Sequence, residues 1–350
     1  MVDSLEIAKW WNNSPTFDLS GGKDSRVTAA AGIRAGVVNS LRTSNTDVGE
    51  VETAQSLVSL VGMENIHRIT KATAPKTDNQ HFLTRYSQLH KVYEGNYLAR
   101  SAMRAVAPST LRVPGTPKVN GLGGEAMQGG NLQSNSWKER ISIQGSQAAR
   151  LRLSHLVSTG GFATTSESRE LTQKEIGQYI EQAAKADFTG GSQILDYFYN
   201  FGEMPNWSIP TISPGILLPF YSPVLLSRIA HSIARPLEHG ILHKELLKHL
   251  IPGWADIPFY KGSVRTRVHP WPWENDQWPN IKTYILDNVS SLDSHNPEEV
   301  RKAIENCSVN PDPRLNNRFE ILISRLLWDL TFQDFNKDIG SYIERLKPKF

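Results

Sequence analysis

A single cysteine, Cys307, in 350 residues leaves no partner for an internal disulfide and excludes a four-thiolate zinc site or a CxxC redox pair. None of the ten histidines stands in an HExxH or other close ligand spacing, so a transition-metal centre has little support. No run of about 18 apolar residues is present to cross a bilayer. The opening MVDSLEIAKWWNN lacks the basic and then apolar pattern of a secretory leader. No membrane contact is expected, and the cytoplasm is the expected compartment. An excess of one charge is missing too. The chain has 38 Lys and Arg against 35 Asp and Glu, a formal charge of +3, without the basic footprint of a nucleic-acid binder. No internal repeat of about 20 to 50 residues is found.

What remains is an ordinary globular composition, 39% hydrophobic and 21% charged, long enough for roughly two domains. The first part alternates short apolar runs with helical spacing. Phe17-Asp18-Leu19 reads as a strand and Arg26 to Arg34 as a helix with Val27, Ala30, Ala31 and Ile33 inward. Val37 to Thr43 reads as a second strand, Glu50 to Val61 as a helix through Ala54, Leu57 and Val58, and Ile66 to Ile69 as a third strand. Parallel strands need crossover helices, so this order implies an α/β fold with a parallel sheet and flanking helices.

Beyond it lie helical patterns at 173–187, 224–234, 242–250 and 315–330. The last carries a stripe of Phe319, Leu322, Ile323, Leu326, Leu327 and Leu330 that is expected to pack in the core. The GGS at 190–192 marks a break, giving an α/β domain over 1–188 and a mostly helical C-terminal part over 189–350, or one continuous domain. Gly129 to Ser168, rich in Gly, Ser, Gln and Asn, reads as a loose connection or an active-site flap.

The chemistry concentrates in FDLSGGKDSRVTAAAG, Phe17 to Gly32. Alone, Ser-Gly-Gly reads as a tight strand-to-helix turn with a polar cap. Running into a helix it also makes an anion site, because glycine lets the backbone approach a ligand and the first helical amides attract phosphate. Ser20 and Ser25 add hydroxyls. Asp24 repels phosphate unless Mg²⁺ lies between the two anions. A nucleotide's phosphates with Mg²⁺ therefore explain the stretch.

The string Ser20-Gly21-Gly22-Lys23-Asp24-Ser25 resembles the pyrophosphate loop of the N-type ATP pyrophosphatases and is not a Walker loop. VNGLGGEAMQGG, Val119 to Gly130, resembles the second signature of the asparagine synthetase synthetase domain through Gly121, Gly123, Gly129 and Gly130. Glu125 falls where that family has a magnesium-binding aspartate. Pro219, Phe220, Lys244, Leu247, Pro252 and Lys261 hold a later family pattern, and GEVETAQSLVSLVG resembles the family's acidic helix. The resemblance covers about residues 14 to 265 in order, and β-lactam synthetases share it.

It implies an AMP-forming carbon–nitrogen ligase that adenylates a carboxylate, releases pyrophosphate and passes the acyl group to an amine. Ser20, Gly21, Gly22, Lys23, Asp24 and Ser25 would cradle the ATP pyrophosphate with Gly121 and Gly123 beside them. Asp24 and Glu125 would hold Mg²⁺, and Lys261 would stabilise charge developing at the α-phosphate. Arg265 and Arg267 could reach pyrophosphate or a substrate carboxylate, although a solvated basic loop is the simpler reading.

Departures from the family pattern accompany it. Leu122 stands where asparagine synthetases have a glutamate and β-lactam synthetases a tyrosine, so the base for the incoming amine is missing or supplied elsewhere. Ala126, Leu217 and Ser222 also replace polar family residues. With 13 residues ahead of Ser14 and no catalytic cysteine among them, no built-in glutaminase is expected. The expected partners are therefore small-molecule or peptide carboxylates and amines, with nitrogen from a specialised amine, free ammonia or a separate glutaminase or pathway protein. Competing readings are a degenerate nucleotide-binding scaffold and a tRNA-modifying enzyme with the same loop. Tyr86, Tyr93, Glu94, Tyr197, Tyr199 and Trp207 could flank the substrates by chain position, but read more simply as surface or packing residues.

Overall fold

The computed structural model describes residues 1–6, 15–45, 47–71, 117–128, 135–160, 163–188, 190–203, 215–232, 240–262 and 277–307, with 309, 322, 323, 325, 326 and 340. Helix α1 (Val2–Glu6) precedes strand β1 (Thr16–Asp18), followed by α2 (Lys23–Ala35), β2 (Ser40–Ser44), α3 (Val48–Ser59) and β3 (His67–Thr70). The expected α/β fold is present: a five-stranded, wholly parallel sheet ordered β3-β2-β1-β4-β5. The chain runs outward from β1 to β3, then returns to set β4 (Lys118–Val119) on the other side of β1 and β5 (Ile216–Leu217) beyond it. The order therefore reverses between β1 and β4, the position where open parallel sheets form ligand crevices.

One row of side chains crosses the sheet. Leu41 pairs with Phe17, Phe17 with Val119, and Val119 with Leu217. Leu41, Phe17 and Val119 are fully buried, and truncating a buried ring such as that of Phe17 to alanine typically costs about 3–5 kcal/mol. Helix α2 lies against β1 because its inner residues are small. Ala29, Ala30, Ala31 and Gly32 are buried, and a Cβ on Gly32 would strike the Phe17 ring. The helix stops at Gly36, whose φ of 69° is the left-handed conformation suited to glycine, with its amide bonded to Gly32 O and Ile33 O.

Gly129 to Ser168 needs correction as a loose connection or flap. Its described part forms α4 (Asn135–Gln144) and α5 (Ser146–Gly160), and α6 (Ser166–Lys185) begins inside the range. With α7 (Gly191–Phe198) these helices bury Ile141, Ala148, Ala149, Leu153, Ile176, Ile180, Ala183, Phe188, Ile194 and Leu195 as one apolar cluster. The cluster runs through position 188. Polar residues dominate the composition of this stretch because only a narrow face is covered.

Helices α8 (Pro223–Ser232), α9 (Ile241–Leu250) and α10 (Pro252–Asp256) return to the sheet, adding Leu247 and Trp254 to the cluster around Phe17 and Leu41. Helices α11 (Trp278–Asn288) and α12 (Pro297–Asn306) follow. Cys307 is buried behind them, its thiol directed at Ile304 O. Of the 315–330 stripe, Leu322, Ile323 and Leu326 are buried; Phe319, Leu327 and Leu330 lie outside the described residues. Among the described residues no helix is long and apolar enough to cross a membrane.

Candidate functional site

The chain between β1 and α2 folds onto itself through two serines. Ser20 Oγ lies 2.7 Å from Ser25 Oγ, Ser20 N donates to Ser25 Oγ at 3.1 Å, and Gly22 N donates to Ser20 Oγ at 3.1 Å. Gly22 is extended at the N-cap, and no side chain caps the helix. Helical amides at the start of α2 are thus left for an anion, with the helix dipole behind them.

This turn borders a cleft of about 660 Å³ at the carboxyl ends of the strands. Ser20, Gly22, Lys23, Asp24 and Ser25 line one wall, and Asn120, Gly121, Leu122 and Glu125 after β4 line another. Arg42, Ser44, Glu50, Thr70 and Lys71 complete it from β2, α3 and β3. At the mouth, Arg42 Nε donates to Asp18 Oδ1 at 2.8 Å and Nη2 lies 2.6 Å from the same oxygen.

The two signature segments touch. A Cβ on Gly121 would strike the backbone of Asp24 and Ser25, and one on Gly124 would strike the Asp24 carboxylate. Any larger residue there would separate the walls. Gly123 does not line the cleft. Its φ of 89° is left-handed, and a Cβ there would meet Tyr221 at 2.7 Å. Gly21 also lies off the lining, with its carbonyl accepting from the amide of Tyr260 at 2.9 Å. Lys261, the next residue, is exposed and outside the cleft lining. Gly129, Gly130, Arg265, Arg267, Tyr86, Tyr93, Glu94 and Trp207 lie outside the described residues. Tyr197 is packed on Phe188 and Phe201 with ring centroids 5.4 and 4.7 Å away, and Tyr199 is buried; neither lines the cleft.

Three side chains that sequence reasoning missed support the turn. The guanidinium of fully buried Arg26 donates to Gly21 O at 2.9 Å and to carbonyls of 254, 257 and 258. Burial pulls its pKa down from the ordinary arginine value to about 10. Its signal was legible: an arginine between small residues on the apolar face of a helix. Tyr260 Oη donates to Asp47 Oδ1 at 2.7 Å, and Asp47 caps α3 by accepting from Gly49 N. Buried His243 of α9 places Nε2 2.7 Å from Asp24 Oδ1, and Lys23 Nζ lies 3.5 Å from Asp24 Oδ2. Nothing local to His243 announces a partner 219 positions away.

Among the described residues no group of three or more His, Cys, Asp or Glu side chains is arranged to hold a metal ion. Two carboxylates on one cleft, Asp24 and Glu125, still fit Mg²⁺, which prefers few protein oxygens and completes its shell with water and phosphate. No family model matches the chain, and no curated protein matches it in sequence.

Proposed function

We propose that the protein is an ATP-dependent, AMP-forming carbon–nitrogen ligase of the asparagine-synthetase-like kind, acting on a small-molecule or peptide carboxylate and an amine. The observation that carries this reading is the meeting of two segments at one cleft. The Ser20–Ser25 turn at the N-terminus of α2 and the 120–125 segment after β4 share a 660 Å³ cleft at the strand-order reversal.

In this reading the uncapped amides and the hydroxyls of Ser20 and Ser25 take the pyrophosphate part of ATP. Asp24 and Glu125 hold Mg²⁺, which neutralises phosphate charge when bound. The substrate carboxylate oxygen bonds to the α-phosphorus and pyrophosphate leaves. The amine nitrogen then bonds to the acyl carbon, AMP leaves, and the amine loses a proton. Lys261 is exposed beside the turn; its role requires the side chain to reach the phosphates when substrates bind.

Incubation with ATP, Mg²⁺ and panels of acids and amines should yield AMP and pyrophosphate in equal amounts. ADP and phosphate as the sole products would reject the chemistry. Lys261→Ala should lower turnover about 100-fold or more while ATP binding survives.

A second reading, a nucleotide-binding scaffold without turnover, is favoured by one observation: Leu122, which accepts no proton, lines the cleft. Tight ATP binding with no pyrophosphate release on any acid would select it.

A further inference from the structure

We propose that His243 is a positioning residue for Asp24, holding one carboxylate oxygen so that Asp24 offers a divalent cation the other oxygen alone. The proposal rests on the reading of Asp24 as a metal ligand.

His243 lies behind the cleft and not on it. The imidazole is fully buried, and its Nε2 meets Asp24 Oδ1 at 2.7 Å. A carboxylate only accepts, so Nε2 carries the hydrogen and donates. Nδ1 has no hydrogen-bond partner among the described residues. A histidine recruited only to fill the core would leave neither an orphaned nitrogen nor a single hydrogen bond aimed at a cleft-lining acid. Phe220 lies alongside with its ring centroid 6.2 Å away, and the missing Cβ of Gly124 leaves the space in which the carboxylate meets His243. Asp24 is therefore fixed from behind. Oδ2, the oxygen His243 leaves for a cation, is paired with Lys23 Nζ at 3.5 Å, an ammonium that a bound cation displaces.

This arrangement has a consequence for metal choice. Mg²⁺ and Mn²⁺ suit a carboxylate bound through one oxygen, whereas Ca²⁺ tolerates a carboxylate that grips with both. Holding Oδ1 on His243 favours the smaller ions. Partners behind a metal ligand typically contribute about 10- to 100-fold in affinity.

The test measures Mn²⁺ binding to the full chain by electron paramagnetic resonance, with and without ATP, and displacement of Mn²⁺ by Ca²⁺. H243L should bind Mn²⁺ about tenfold more weakly and lose it to Ca²⁺ more readily than wild type. H243Q, whose amide nitrogen takes the place of Nε2, should stay within about threefold of wild type, and H243N, which falls short, should not. The Gln and Asn variants carry the comparison if H243L does not fold. Equal Mn²⁺ affinity and equal Ca²⁺ displacement across folded variants overturn the proposal, as does wild-type protein that binds no Mn²⁺. Wild type that binds Mn²⁺ and ATP but never releases AMP, with Mn²⁺ affinity still dependent on residue 243, sinks the ligase reading and leaves this one standing.

Discussion

Arg26 is the side chain on which the turn depends most. Its charge is buried with carbonyl oxygens and the Phe259 ring, 4.8 Å from its guanidinium carbon, as its partners. Four acceptors on two chain segments use the planar fork of the guanidinium, and a lysine offers one ammonium in its place. Arg26→Lys should therefore cost about 2–3 kcal/mol, the scale of hydrogen bonds to a charged group left unmade. The loss should appear as a lower urea midpoint at unchanged slope. Burial lowers the pKa of Arg26 only to about 10, so the native state binds fewer protons than the unfolded state only from about pH 10 up to the ordinary arginine range. Stability gained from this group rises only across that alkaline window, and Arg26 contributes no slope near neutrality.

Pairing of β2 with β3 carries a different pH signature. Thr43 Oγ1 donates to Leu19 O at 2.8 Å, so it accepts from His67 Nε2, also at 2.8 Å. Burial lowers the His67 pKa from 6.5, favouring the neutral ring in the folded state. Below pH 6.5 the unfolded chain takes up protons first, so stability falls on acidification until the folded ring is protonated as well. His67→Gln keeps a neutral donor and should flatten this slope. Urea midpoints of the two proteins measured near pH 7.5 and pH 5 should separate on the acid side; parallel curves would remove His67 as the cause. The alternation of β1, α2, β2, α3 and β3 was legible because each element carries its own period, and the turn after β1 because Gly-Gly and Asp24 contradict a plain core. β4 and β5, two residues each, are too short for any period and exist only through long-range pairing, β4 with β1 and β5 with β4. Helices α4 and α5 were hidden for another reason. Their inward residues, Ile141, Ala148, Ala149 and Leu153, are sparse among glutamine, serine and arginine. His243 and Tyr260 gained their roles from tertiary contact, which no local pattern records.

At the scale of the molecule two apolar clusters stand apart among the described residues, one around the sheet and one among α4 to α7. Leu153 is fully buried in the second, and Leu153→Ala should cost about 2–5 kcal/mol through the cavity it leaves. Hydrogen exchange should accelerate over 135–198 with little change in β1 and α2 if the clusters open separately. Uniform acceleration would show one cooperative unit. The tie from Arg26 to the carbonyls of 254, 257 and 258 spans more than 220 positions. On the ribosome, β1, α2 and β2 emerge long before three of the four carbonyls that receive the guanidinium have been synthesised. The cradle at residues 20–25 must therefore wait for the second half of translation to acquire its final shape, and a nascent chain stopped before Trp254 would carry the motif without the means to hold it.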